Sequence, residues 1–190
     1  MKVTENPSMY AFPRSILGTC FVSPGDIANS CRGVTYTDEQ FAFLGANTPS
    51  KDVVGLCCEN KCILAAGPPK EMSLLGLRAG HRDIFDIPKD GWYGKKQSFA
   101  RTEHVHTRWI ICRYRDCRSL FLPAYFDLVS LNAVEAIWCL LCYQYVHGVP
   151  LSTPYIRTSS ADSEGGSVYV QLNRGKLVVC RLWAGLFIVG

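Results

Sequence analysis

Two histidines alternate in a segment that reads as a strand, His104 and His106 within Glu103–Arg113. Side chains two apart on a strand share a face, so both imidazoles point the same way, as paired histidine ligands of a metal do. Such a site needs further donors. Cys112 and Cys117 follow shortly after, and thiolate with imidazole is a donor set that suits zinc. A zinc ion held by some subset of His104, His106, Cys112 and Cys117 is one reading. A metal hydrolase drawing carboxylates from Asp83, Asp86, Asp90 or Asp116 is another, but those four show no diagnostic spacing. The plainer alternative is a solvated polar strand face above buried thiols, which requires no cofactor at all.

Cys139-x2-Cys142, upstream of His147, is the second cluster with chemical capacity. A nucleophilic thiol needs an imidazole at hydrogen-bond distance and some access to solvent. On one continuous helix Cys142 and His147 stand about 140° apart and cannot pair directly, so His81, His104 or His106 would have to arrive through the fold. Cysteines three apart also share a helix face, as two ordinary core positions do.

Charge supplies the third candidate. Lys95, Lys96, Arg101, Arg108, Arg113, Arg115 and Arg118 fall in one stretch with only Glu103 and Asp116 against them, an excess of five positive charges in a chain whose net charge is +4. Phe99, Trp109 and Tyr114 are interleaved. Arginine with aromatics suits a protein interface, where the guanidinium makes several hydrogen bonds at once. It also suits single-stranded nucleic acid, where bases stack on the rings. A solvated basic strand that resists edge-to-edge pairing is the bland alternative.

These residues must be positioned by a fold, and the pattern points to α+β. Asn132–His147 predicts a helix: Asn132 can cap it, Glu135 completes a capping box, and Gly148 and Pro150 stop it. It is apolar nearly all round, so it belongs in the core. Thr37-Asp38-Glu39 can start another helix, and Glu71–Ala79 a short one. Val53–Ala66 reads as a β-hairpin around Glu59-Asn60-Lys61, ended by Gly67-Pro68-Pro69. Val168–Leu172 and Lys176–Trp183 read as a second hairpin around Asn173-Arg174-Gly175, followed by a last strand, Leu186–Val189. The echo between the hairpins raises the alternative of an internal duplication. Thr158–Ser167, rich in Ser and Gly, reads as a mobile loop.

Of the 190 residues, 48% are hydrophobic and 19% charged, enough to build a core and to exclude wholesale disorder. Glu5, Asn6 and Pro7 interrupt any secretory signal, and neither Ala133–Val146 nor Leu177–Gly190 is long and apolar enough to span a bilayer. The ten cysteines are therefore expected as reduced thiols in an intracellular chain, cytoplasmic or nuclear. There is no GxGxxG, Walker, GxSxG or HExxH motif.

The expectation is one α+β domain over 1–190, a mostly antiparallel sheet built from hairpins and packed on one buried helix. Its expected role is a non-enzymatic regulatory module, cellular or a virus-encoded host modulator. It would bind a protein partner through Lys95, Lys96, Arg101, His104, His106, Arg108, Arg113, Arg115 and Arg118. An RNA-binding module and a zinc- or thiol-dependent hydrolase are the alternatives.

Overall fold

The computed structural model describes residues 8–85, 92–95, 97–114, 131–148, 153, 155–183 and 186–189. The fold is α+β, with sheets that are antiparallel but for one parallel pair. Its helical first third begins with α1 (Ala11–Leu17), β1 (Phe21–Val22) and α2 (Pro24–Ser30), then α3 (Asp38–Ala46) and α4 (Lys51–Glu59). Local chemistry sets these starts: Ser23 and Thr37 form capping boxes with Asp26 and Gln40, and Ser50 accepts from the Val53 amide.

The hairpin expected over Val53–Ala66 is absent. Its first half is α4, and only the second half is a strand, β2 (Cys62–Ala66). The Ser50 cap and Asp52 in the first turn favour the helix, whose buried Val54 and Cys57 lie on one face. Asn60 and Lys61, the latter at φ 53°, turn the chain directly into β2. Without a first hairpin, the two segments show no structural duplication. β2 is buried throughout, parallel to β1 on one side and antiparallel to β5 (Trp109–Arg113) on the other.

A second, two-stranded ladder joins β3 (Met72–Ser73) to β4 (His104–Val105), pairing Ser73 with His104. Between them lie α5 (Leu74–Gly80), α6 (Trp92–Lys95) and α7 (Phe99–Thr102). The continuous strand expected over 103–113 is thus two strands separated by a hook at 106–108. Gly67 explains the break. Its amide donates to the Arg108 carbonyl at 2.7 Å, its carbonyl accepts from the Tyr36 hydroxyl at 2.7 Å, and Thr107 Oγ1 donates to the Pro68 carbonyl at 2.6 Å. A β-carbon on residue 67 would lie 2.0 Å from the His106 carbonyl oxygen, so only glycine lets the hook dock here.

The central helix, α8 (Ala133–His147), begins with the expected Asn132/Glu135 capping box and ends on Gly148 at φ 66°. Every residue from Ala133 to Cys142 is buried, and Trp138 Nε1 donates to the Ala66 carbonyl at 2.8 Å. All three sheets touch α8. It does not form the core alone: Ile27 of α2, Leu44 of α3 and Leu77 of α5 join the same cluster.

The third sheet runs β6 (Ile156–Ala161), β7 (Ser167–Asn173), β8 (Lys176–Trp183) and β9 (Leu186–Val189), in chain order. Arg174 and Gly175 turn β7 into β8 with φ of 49° and 80°, as a two-residue loop with two left-handed positions requires. The stretch 158–167, read as a mobile loop, is divided among β6, a turn and the start of β7. Within that turn Asp162 Oδ1 accepts from the Glu164 and Gly166 amides at 2.8 and 2.7 Å.

Candidate binding site

The β3–β4 ladder places four polar side chains on one face. Ser73 opposes His104 in register, and continuing the antiparallel pairing sets Glu71 opposite His106. The carboxylate of Glu71 sits between the two imidazoles, with Oε1 at 3.2 Å from His104 Nδ1 and Oε2 at 3.8 Å from His106 Nδ1. The rings themselves stand 6.4 Å apart between centroids. Beside them a cleft of about 500 Å³ is lined by Lys70, Glu71, Met72, Ser73, Gly76 and His104. Glu71 had no signal in the sequence, because its role depends on a strand pairing more than thirty residues long in loop closure.

Arg108 continues this rim, fixed from beneath by the start of α8. Its guanidinium pairs with the Glu135 carboxylate, whose side chain is only 3% exposed while that of Arg108 is 59% exposed. Glu135 Oε2 also accepts from the Asn132 amide at 3.1 Å, and Asn132 Nδ2 donates to the His104 carbonyl at 3.1 Å. The capping residues of α8 therefore hold β4 and the Arg108 side chain together.

Glu103 lies on the same helix end. Ser160 accepts from the Ala133 amide at 2.7 Å and donates to the Glu103 carboxylate. Burial pushes the Glu103 carboxyl above its ordinary value, and the nearby Glu135 charge adds to this, while the Ser160 and Ala133 hydrogen bonds oppose it. A helix N-terminus is a favourable place for both carboxylates.

The remaining basic residues do not all gather at this rim. Arg101 is exposed, donating through Nη2 to the Gly94 carbonyl at 2.6 Å. Arg113, half-buried, ends β5 opposite Cys62. Lys95 ends α6. Lys96, Arg115, Arg118 and Cys117 lie outside the described residues. Charge counted along the segment also overstates charge in space, since Glu71 and Glu135 reach the rim from distant parts of the chain.

The thiols belong to the core. Cys112 is fully buried against Cys139, far in character from the exposed imidazoles, so the set of His104, His106 and Cys112 is not assembled. Among the described residues there is no group of three or more His, Cys, Asp and Glu side chains that could hold a metal ion. Burial pushes the thiols of Cys139 and Cys142 well above their ordinary values, so neither is a ready thiolate nucleophile.

No family model, curated protein or solved structure matches the chain. Among the described residues no helix is long and apolar enough to cross a membrane.

Proposed function

We propose that the chain is a non-enzymatic module that binds a protein partner through the rim of His104, His106 and Arg108. Arg101, exposed at α7, is the further cation assigned to this surface. One observation carries the reading: His106 and Arg108 are exposed and His104 half-buried, yet each has a carboxylate beside it, Glu71 next to both imidazoles and buried Glu135 paired with Arg108. Side chains ordered before binding lose less conformational entropy on association. Arginine on a rigid base is also a frequent contributor to interface energy.

A polyanionic partner draws less support, because Arg101 and Arg108 already satisfy protein acceptors. Exposed apolar side chains elsewhere, Met9, Phe12, Ile16 and Phe43, are of the kind found at protein contacts.

The test is the double variant Arg101→Glu/His106→Glu beside wild type, after circular dichroism shows that both are folded. Quantitative affinity purification should find partners retained by wild type and lost by the variant. RNA affinity, measured by anisotropy at two salt concentrations, should be weak in both. Equal partner recovery from both proteins would refute the rim as the interface. Tight RNA binding by wild type alone, with a log–log salt slope of about −0.7 per phosphate contact, would replace the protein partner with nucleic acid.

A further inference from the structure

We propose that Cys57 and Cys62 form a redox couple, which thiol exchange with a small disulfide such as glutathione disulfide converts into a bond between the end of α4 and the start of β2. The proposal does not depend on the rim or on its partner.

Strand alternation is the first ground. Along β2, Ile63 and Ala65 join the main core around α8, whereas Cys62 and Leu64 join a smaller cluster. That cluster also holds Tyr10, Leu17 of α1, and Val54 and Cys57 of α4. On the neighbouring strand β5, Cys112 faces the main core and meets Cys139 there. Period two thus sends Cys62 toward α4 and Cys112 toward α8. Cys57 shares the buried face of α4 with Val54. Lys61, at φ 53°, turns α4 back into β2, so thiols five residues apart in the sequence return to one another. Cys62 Sγ lies 3.7 Å from the Asn60 carbonyl oxygen, aimed at the end of α4, and the Cys57 and Cys62 thiols are hydrogen-bond partners. The step from that contact to a sulfur–sulfur bond of about 2.0 Å is short.

Thiol chemistry is the second ground. The Cys62 contact holds the Cys57 thiol below its ordinary value, with burial opposing, and the same contact holds Cys62 above. Cys57 is therefore the thiol that opens the exchange, reached when α4 opens locally. That helix already exposes Lys51, Asp52, Cys58 and Glu59. The Cys57 thiolate attacks one sulfur of glutathione disulfide, breaks its S–S bond and releases one glutathione. The Cys62 thiolate then attacks Cys57 in the mixed disulfide and releases the second. Both protons end on the two glutathione thiols; the chain loses two electrons and glutathione disulfide gains them. Cys58 stands apart, because adjacent helix residues lie about 100° apart and its Sγ donates to the Ile16 carbonyl at 3.8 Å.

Refolding the full chain from urea in glutathione redox buffers tests the couple with access no longer limiting. Trapping with N-ethylmaleimide and peptide mapping reads the ratio of Cys57–Cys62 disulfide to dithiol, in the folded chain and in the same chain held in concentrated urea. The effective concentration of the couple should be at least about tenfold higher in the folded chain. By linkage, oxidation then raises the folding equilibrium constant by the same factor, read from urea unfolding of the oxidised and reduced chains. Cys58→Ser should leave the ratio unchanged. Cys57→Ser should leave Cys62 alkylated as a free thiol, and Cys57→Ala repeats that test if the buried hydroxyl perturbs folding. The proposal falls if the ratio is no higher in the folded chain than in urea, if Cys58→Ser abolishes the bond, or if Cys62 is found joined to Cys112.

Discussion

Gly67→Ala should unseat the hook that carries His106 and Arg108. The added β-carbon would meet the His106 carbonyl oxygen at 2.0 Å and the Arg108 carbonyl oxygen and amide nitrogen at 2.9 and 3.0 Å. All three are backbone atoms, so no rotamer change relieves the clash, and the two chains must separate by more than an ångström. That movement strains the Gly67–Arg108 and Thr107–Pro68 hydrogen bonds. Overpacking of this kind costs about 1–3 kcal/mol, and each weakened hydrogen bond adds about 0.5–1.5 kcal/mol. A loss of about 2–6 kcal/mol is therefore expected in urea unfolding followed by circular dichroism. Histidine ring resonances should shift for His104 and His106 while His147 stays in place. A loss under about 0.5 kcal/mol with unmoved histidine signals would refute the claim that Gly67 sets the position of the rim.

Trp138→Ala should cost about 3–5 kcal/mol, because the ring is fully buried. Trp138→Phe keeps most of the volume but leaves the Ala66 carbonyl without its 2.8 Å donor, for about 1–3 kcal/mol, and equal small losses in urea unfolding would contradict the central place of α8. Alkali should destabilise the fold. Burial pushes the Cys180 thiol from 9.0 up to about 11, and the Tyr93 phenol from 10.0 up to about 12, where the Arg78 charge partly opposes it. The unfolded chain gives up these protons first, so stability falls from about pH 9 and continues to fall to about pH 12. Each group accounts for about 3 kcal/mol across its own interval. Tyr93→Phe should flatten the upper part of the profile, and an identical slope in the variant would count against this assignment.

The elements legible in the sequence are those whose instructions are local. Asn132, Glu135 and Gly148 delimit α8 within a few residues of chain, and Asn173-Arg174-Gly175 turns β7 into β8 without help from elsewhere. The hairpin read over Val53–Ala66 fails in its first half, because a short apolar run serves a helix or a strand equally well. There the Ser50 cap decided. The interruption of the 103–113 strand could not be read from its own alternation, since its cause is Gly67, some forty residues earlier. The same holds for the site. The histidines were visible as a pair, but Glu71 and Glu135, which anchor them and Arg108, reach them only through tertiary structure.

The pairing of β2 sets an order of events during synthesis. Its antiparallel partner β5 leaves the ribosome roughly 45 residues after it, and its parallel partner β1 covers only Leu64 and Ala65. At about 5–20 residues per second, the Cys-Ile-Leu-Ala-Ala strand waits roughly 2–9 s with its other edge open. An uncovered apolar edge is a template for pairing with other chains. Slow translation between residues 66 and 109 should therefore lower the yield of folded protein, measured against a chain translated at the normal rate.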